Sequence, residues 1–428
     1  MLPTPTFNFT IPSIHDDITL QCRIYHPLRF LHNGAVGQPG WRKKGAIIAH
    51  PYAPLGGCYD DPVVRAAAIE ILKKGFVVGT FNFRGAGDSK GRTSWTARPE
   101  LSDYISFARC FIDYLNHLDP PTPFPALEHS RSQSDTTLSP IQSSVNVPTD
   151  RFDAPNSSMV LILGGYSYGS MICTHLPTTE TIVQRFASVA KGSAEAEIRL
   201  RSLHLSTQWN KEARLMNETR RGRSLRIPGS LQDPSRSISM GGDESEPGTR
   251  RPSRESKRSL DHIRRSMDRS KKRLGIGNHS STEIIMSPSL EGRTGPELTT
   301  PTTYYLLISP LLPPVSMFAT MFSKLKRHQR ASLEDSAVAN THVKDKLTSC
   351  ATLAIYGDKD FFTSPKKLRK WAEHLAGAAE SRFRFREIGG AGHFWHEPGV
   401  EGQMRSAIRD WTQDILECSR SCPPDVKS

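Results

Sequence analysis

A serine, an aspartate and a histidine lie in three glycine-containing segments, and their order along the chain predicts nucleophilic chemistry. Ser167 lies in the motif Gly-Tyr-Ser-Tyr-Gly at residues 165–169, directly after the apolar run 159–163. A serine on a tight strand-to-helix turn needs small residues two places before and after it, and Gly165 and Gly169 fill both places. The pentapeptide alone is common by chance, so its weight comes from the preceding strand and the residues downstream.

A serine hydroxyl is a poor nucleophile at neutral pH, so it needs a base in contact and a group that orients the base. His393 follows the glycine-rich stretch 389–392, and Asp360 ends the segment Gly-Asp-Lys-Asp at 357–360. Each segment comes after a predicted strand, and one helix and one strand separate them, so both emerge at one edge of a sheet. We predict Ser167 as the nucleophile, His393 as the base and Asp360 as the orienting acid.

Each of these assignments has an alternative in the sequence. Asp358 competes with Asp360 as the acid, and His396, one helical turn after His393, competes as the base. Both aspartates could instead cap the helix that starts near Pro365. Capping explains one aspartate but predicts nothing about the histidine.

Acyl chemistry at Ser167 also requires two N–H donors for the oxyanion that forms on the substrate. One is the backbone N–H of Tyr168, the residue after the nucleophile. The second comes from the turn at residues 50–57, which contains two prolines. Because proline has no N–H, the donor is Tyr52 or Ala53, and we predict Tyr52. The alternative is that this turn is only a rigid proline-rich connection.

The glycine-rich segment 84–91 is a weaker candidate for a ligand site. It does not match G-x-x-x-x-G-K-[ST], and Lys90 stands where G-x-G-x-x-G requires its last glycine. We interpret the segment as a structural loop beside the candidate site.

The elements that must position these residues alternate between short apolar runs and stretches of helical periodicity. The predicted strands are 18–25, 45–50, 76–83, 159–163, 303–309, 352–356 and 382–388, and the predicted helices are 61–74, 102–118, 365–377 and 400–417. This alternation is typical of an α/β fold with a mostly parallel central sheet and helices on both faces.

Two segments interrupt the α/β pattern. Residues 119–157 form a Pro/Ser-rich loop, and residues 199–301 form a basic Arg/Ser-rich insert without sustained periodicity. The insert cannot bury enough apolar surface to offset an ordering cost of about 1–2 kcal/mol per residue, so we predict that it is disordered. The predicted core then comprises residues 1–118, 158–198 and 302–417, with a flexible tail at 418–428.

Charge is concentrated in the insert. Residues 199–274 carry 20 Lys and Arg against 9 Asp and Glu, which accounts for most of the net charge of +13. The basic character therefore says little about the candidate site. It makes the insert a candidate for contact with nucleic acid or an anionic membrane, although a solvated arm fits a segment without interleaved aromatic residues better.

Cysteine usage and hydropathy bear on compartment and cofactors. The seven cysteines are scattered, which is typical of free thiols in a reducing compartment. Cys418 and Cys422 lack partner ligands for a metal site. The N-terminus does not resemble a signal peptide, and the apolar run 304–315 is too short to span a membrane. We expect a cytoplasmic protein.

Together these segments resemble the α/β-hydrolase superfamily, and more narrowly a group of compact bacterial and fungal hydrolases. That group has an H-P turn, an N-F-R-G-x-G loop, a G-x-S-x-G elbow and a G-D-x-D acid loop; residues 82–91 match the second motif closely, and Ser309-Pro310 matches its strand end. Two departures are a turn at residue 50 that is one residue longer than usual and a long insert near where many members carry a lid.

The resemblance implies an α/β-hydrolase fold and hydrolysis of a carboxylic ester, thioester or related acyl bond in a small-molecule substrate, without a metal or cofactor. An alternative is a catalytically silent fold used as an interaction module. Arg250-Arg251-Pro252-Ser253 and Arg264-Arg265-Ser266 resemble sites of basophilic kinases, and phosphorylation there would lower the positive charge of the insert.

Overall fold

The computed structural model describes residues 2–27, 43–119, 159–224, 300–312 and 343–421. Within these ranges eight strands form one sheet in the order β1-β2-β4-β3-β5-β6-β7-β8. The strands are β1 (Phe7–Pro12), β2 (Thr19–Tyr25), β3 (Lys44–Ala49), β4 (Val77–Phe81), β5 (Val160–Tyr166), β6 (Thr302–Ile308), β7 (Thr352–Gly357) and β8 (Phe383–Ile388). β2 is antiparallel to both β1 and β4, and every pairing among β3 to β8 is parallel.

Helices cover both faces of this sheet. They are α1 (Pro62–Lys73), α2 (Arg98–Asn116), α3 (Tyr168–Thr174), α4 (Thr179–Arg185), α5 (Ala194–Ser224), α6 (Pro365–Ala376) and α7 (Val400–Ser421). Side chains of α1 and α7 share one apolar core with one face of the strands, whereas α2 to α6 contribute to the core on the opposite face. This three-layer arrangement confirms the predicted α/β fold class with a mostly parallel sheet.

Side chains alternate between the two faces of each buried strand, so an apolar core forms on each face of the sheet. In β3, Ile47 and Ala49 point to one core while Ala46 and Ile48 point to the other. A strand buried on both faces reads as a continuous apolar run, which is why the sequence located the central strands. The parallel directions bring the carboxyl ends of β3 to β8 to one edge of the sheet, where the candidate loops lie.

The predicted start of the disordered insert is wrong. Residues 199–224 belong to α5, whose buried residues Ile198, Leu205 and Trp209 recur at helical spacing. The ring of Trp209 stacks on the buried ring of His26 at a centroid distance of 3.6 Å. These few anchors fix the helix, while the polar composition around them hides the periodicity.

Several predicted features lie outside the described residues. They are most of the 119–157 loop, residues 225–299 of the insert with its candidate phosphorylation sites, and the tail from residue 422. Contact of the insert with nucleic acid or an anionic membrane therefore stays a prediction. In the described ranges, no helix is both long and apolar enough to cross a bilayer, and the six cysteines there are unpaired thiols.

Candidate active site

Ser167 lies at the turn between β5 and α3 in a conformation that side chains rarely adopt. Its φ of 54° and ψ of −114° are a strained combination for a non-glycine residue. The flanking glycines permit the turn by close approach: a Cβ on Gly165 would lie 2.3 Å from the carbonyl carbon of Gly169. A Cβ on Gly169 would lie 2.6 Å from the carbonyl oxygen of Ala49. The local sequence therefore allows a turn that presents the serine hydroxyl at the sheet edge.

The structure brings the three predicted site residues together. His393 Nε2 lies 2.8 Å from Ser167 Oγ, and His393 Nδ1 lies 2.7 Å from Asp360 Oδ2. Ser167, His393 and Asp360 are only 6%, 2% and 3% exposed. Removal from water strengthens such a chain of hydrogen bonds, and the geometry can activate a hydroxyl for attack on an electrophile.

Asp360 is held in place by its own turn. Its Oδ1 accepts the backbone N–H groups of Phe362 and Thr363 at 2.9 and 3.0 Å, which leaves Oδ2 for the imidazole. Ser364, and neither aspartate, is the N-cap residue of α6. The capping alternative therefore does not account for Asp360.

Asp358 and His396 are placed differently. Asp358 is exposed, and its Oδ1 accepts the N–H of Gly390 at 2.7 Å, which ties the loop after β7 to the loop after β8. His396 is exposed and stacks on Phe394 with ring centroids 5.8 Å apart. The geometry thus separates Asp360 and His393 from their sequence competitors.

Three residues that sequence reasoning did not select support the loop of His393. Tyr166 donates its hydroxyl to the carbonyl oxygen of His393 at 2.8 Å, and Trp395 donates its indole N–H to Ser309 Oγ at 3.1 Å. Ser309 and Trp395 both have positive φ, at 44° and 59°. The position of Tyr166 beside Ser167 in the motif was the available signal, but its partner depends on the tertiary fold.

The two predicted oxyanion donors lie on the other side of Ser167. Tyr168 begins α3, so its N–H has no acceptor within the helix and lies at the positive end of the helix dipole. Tyr52 precedes the short 3₁₀ turn Ala53–Leu55, and its ring lies 5.2 Å from the ring of Tyr168. A Cβ on Gly169 would lie 2.6 Å from the carbonyl oxygen of His50 as well, so the turn that follows β3 lies against the start of α3.

A buried histidine fixes the turn that carries Tyr52. His50 donates from Nδ1 to the carbonyl oxygen of Pro51 at 2.6 Å and accepts the N–H of Phe83 at Nε2 at 2.9 Å. Burial lowers the pKa of His50 to about 4, so the ring is neutral near pH 7. The imidazole thereby joins the ends of β3 and β4, a role that the sequence analysis missed.

The glycine-rich segment 84–91 is anchored by an arginine. The Arg84 guanidinium contacts Asp103 at 2.7 Å and Asp16 at 2.9 Å, and Asp103 is fully buried. Ser13 donates its hydroxyl to the same Asp103 carboxylate at 2.6 Å. These contacts are consistent with a structural loop. Within the described residues, no group of three or more His, Cys, Asp and Glu side chains could hold a metal ion.

Comparisons with known proteins give structural similarity only. No protein-family profile and no curated protein sequence matches the chain. Among solved structures, it is similar to an α/β serine hydrolase homologue from Coxiella burnetii, with 12% identity over 96% of this chain and 99% of that chain and a TM-score of 0.39. It is also similar to an α/β serine hydrolase without a lid from Xanthomonas campestris, with 14% identity over 99% of both chains and a TM-score of 0.42.

A third similar structure is an esterase from Pyrococcus furiosus, with 9% identity over 95% of this chain and 92% of that chain and a TM-score of 0.40. The chain's own topology is informative without these comparisons. A mostly parallel sheet and a sharp turn from strand to serine to helix, which lies here after β5, are both characteristic of the α/β-hydrolase fold. The described residues therefore have the α/β-hydrolase fold.

Proposed function

We propose that the protein is a serine hydrolase that cleaves a carboxylic ester or a related acyl bond. The observation that carries this proposal is the buried chain of hydrogen bonds from Ser167 through His393 to Asp360, at 2.8 and 2.7 Å. A serine joined in this way to a histidine and a carboxylate is the arrangement that acyl transfer requires.

Asp360 sets the tautomer of His393 that starts the reaction. Its Oδ2 accepts the N–H at His393 Nδ1, so the lone pair of the imidazole lies on Nε2, facing Ser167. The carboxylate also stabilises the imidazolium that forms when Nε2 takes up a proton. Because two backbone N–H groups hold Oδ1, the carboxylate is already oriented before substrate binds.

The first half-reaction forms an acyl-enzyme. His393 Nε2 takes the proton of Ser167 while Oγ forms a bond to the substrate carbonyl carbon, and the carbonyl electron pair moves to oxygen. The N–H groups of Tyr52 and Tyr168 stabilise this oxyanion. The oxyanion then collapses, the bond from carbon to the leaving group breaks, and the leaving atom takes the proton from Nε2.

The second half-reaction consumes water. A water molecule gives its proton to His393 Nε2 and attacks the acyl carbon. Collapse of the second oxyanion breaks the bond between carbon and Ser167 Oγ, and the proton on Nε2 returns to Oγ. The products are the free acid and the starting enzyme.

Hydrolysis of p-nitrophenyl esters of increasing chain length, together with labelling by a fluorophosphonate, tests the proposal. Ser167→Ala should abolish both. Ser170→Ala is the matched control, since Ser170 is a buried serine one turn along α3 whose hydroxyl donates to the carbonyl of Ser167 at 2.8 Å. That variant should still be labelled. Persistent labelling of Ser167→Ala would assign the nucleophile elsewhere.

Absence of both hydrolysis and labelling in the wild-type protein would favour the interaction-module alternative. That alternative depends on phosphorylation of Ser253 and Ser266, which lie outside the described residues. No contact in the described residues favours it over hydrolysis.

A further inference from the structure

Large exposed apolar side chains fall into two groups in the described part of the chain. One group lies on α5 and comprises Leu200, Leu203, Leu215 and Met216. The other lies in the loops after β3, β4, β7 and β8 and comprises Leu55, Trp95, Phe361 and Phe394. The carboxyl ends of these parallel strands share the edge at which Ser167 follows β5, so the second group lies around the candidate active site.

Three phenylalanines in the loops after β7 and β8 pack against one another. We call this set, Phe361, Phe362 and Phe394, the aromatic wall. Ring centroids are 4.5 Å apart for Phe361 and Phe362 and 5.6 Å apart for Phe361 and Phe394. Phe361 is 68% exposed and Phe394 is 44% exposed. Single exposed apolar residues are ordinary, whereas rings packed together at a reactive group indicate a binding surface.

The aromatic wall is in direct contact with the proposed base. The ring of Phe362 lies 4.5 Å from the ring of His393, and Phe394 lies 5.6 Å from it in an edge-on arrangement. Phe361 lies 6.3 Å from the same imidazole. All three rings come from the loops that carry Asp360 and His393, whereas Tyr52 and Tyr168 lie in other segments.

The position of the aromatic wall beside His393 determines which part of an ester it can contact. The oxygen of the leaving alcohol must approach His393 Nε2, because that atom supplies its proton. The acyl oxygen must instead point to the N–H groups of Tyr52 and Tyr168. Since all three rings border the imidazole, a group attached to the leaving oxygen lies closer to the aromatic wall than the carbonyl oxygen does.

We propose that the aromatic wall binds the alcohol portion of the ester, and that the enzyme selects esters of apolar, particularly aromatic, alcohols. This inference rests on the proposed function, since it requires Ser167 and His393 to act on an ester. The favourable binding free energy comes from covering exposed ring surface with an apolar group and from contact between aromatic rings.

The test uses acetate esters with a constant acyl group. Ethyl acetate and 2-naphthylmethyl acetate have leaving alcohols that differ in apolar area much more than in acidity. Phe361→Ala and Phe394→Ala should each lower kcat/KM for the naphthylmethyl ester by about five- to tenfold, mainly through KM, and leave ethyl acetate within about twofold. Both side chains are exposed, so the variants should fold; the rate of fluorophosphonate labelling checks that Ser167 remains active.

Trp95→Ala provides the matched control, because Trp95 is 64% exposed at the same sheet edge but in the loop after β4. It should leave the ratio of the two acetate esters unchanged. A change in that ratio with Trp95→Ala, but not with the two phenylalanine variants, would overturn the assignment of the wall.

Three further results would overturn the proposal. Equal losses on both acetate esters would show that the rings support the loop and do not select the alcohol. If the losses in kcat/KM depended on the length of the acyl group in p-nitrophenyl esters, the wall would bind the acyl portion instead of the alcohol. Losses confined to emulsified ester would indicate contact with a lipid surface. If the wild type neither hydrolyses esters nor reacts with the fluorophosphonate, the proposed function itself fails, and the inference with it.

Discussion

The two sides of Ser167 are built differently. On the histidine side, the loops after β7 and β8 carry the proposed acid and base and expose the aromatic wall to solvent. On the other side, called the oxyanion side because it carries the proposed donor Tyr52, the turns after β3 and β4 are fixed by buried polar contacts of His50 and Arg84. In the proposed mechanism the first side holds the histidine that changes protonation during the reaction, and the second side holds fixed dipoles and charges.

This difference separates what each side contributes. A base must gain and lose a proton in each turnover, so changes to the proposed acid and base, and to the groups that position them, should appear mainly in kcat. Removing one partner of a buried polar contact leaves the other partner unsatisfied, so changes in the contacts of His50 and Arg84 should appear mainly in stability. Variants that reverse this division would show that the two sides are not distinct.

The largest expected effect is on the histidine side, at Asp360. Asp360→Asn removes the charge that favours a proton on His393 Nδ1, and the amide can instead donate to that nitrogen. We expect kcat for a p-nitrophenyl ester to fall by about 10³–10⁴-fold with little change in thermal stability.

Asp358→Asn is the matched control for Asp360→Asn. It lies two residues earlier and contacts Gly390, so it should keep most of the wild-type kcat. Similar losses in both variants would mean that Asp360 is not specifically the orienting acid.

The next effect concerns stability on the oxyanion side, at Asp103. This fully buried carboxylate accepts from Arg84, Ser13 and the backbone N–H of Arg84. Asp103→Asn leaves a buried guanidinium without its main counter-charge and should lower the free energy of unfolding by about 3–5 kcal/mol, measured by urea denaturation.

Asp16→Asn tests the same arginine from its exposed side. The Asp16 side chain is 40% exposed, so its loss should cost only about 0–1 kcal/mol. Equal costs in the Asp16 and Asp103 variants would show that burial does not govern this ion pair.

The candidate site was predictable to the extent that each residue lies in a local pattern. Ser167, Asp360 and His393 each follow a predicted strand and lie near glycines, and strand order then brings their loops to one edge. The contact of Arg84 with Asp103 and Asp16 has no such local signature. It depends on how β1, β2 and α2 pack, which periodicity does not specify.

The fold was predictable where burial is continuous along an element. The central strands read as apolar runs, whereas edge strand β1 (Phe7–Pro12) was missed because only one side of it is consistently buried. Helix α5 was missed because few of its residues, among them Ile198 and Trp209, are anchored in the core. Composition averaged over a long segment cannot detect such sparse anchors.

A smaller effect is expected from pH, again on the oxyanion side. Burial lowers the pKa of His50 from its ordinary value of 6.5 to about 4, so between these values the unfolded chain binds more protons than the folded one. The free energy of unfolding should therefore decrease as pH falls from about 6.5 to 4. Burial lowers the pKa of His26 to about 3, which acts in the same direction.

His50→Gln isolates the contribution of His50, because glutamine offers a donor and an acceptor but does not titrate. The variant should be less stable at pH 7 and should lose about 1–2 kcal/mol less than wild type between pH 7 and pH 5, measured by urea denaturation. Parallel stability curves would mean that His50 does not titrate differently in the two states.

The smallest expected effect returns to the histidine side, at Tyr166. Tyr166→Phe removes the hydroxyl that donates to the carbonyl of His393 at 2.8 Å, and the loop then loses one hydrogen bond of about 1 kcal/mol. If that bond positions the imidazole, kcat should fall about three- to tenfold while KM stays within about twofold. A purely structural role would change the thermal midpoint without this selective change in kcat.

Tyr356→Phe makes this comparison sharp, because Tyr356 is also a buried strand tyrosine and its hydroxyl has no hydrogen-bond partner among the described residues. Removing that hydroxyl should leave kcat unchanged and stability unchanged or slightly higher, since a buried unpaired donor is costly. A selective loss of kcat in Tyr166→Phe alone would show that the histidine side responds to the loss of a single positioning bond. If kcat is the same in the two variants, the hydrogen bond of Tyr166 does not position the imidazole of His393.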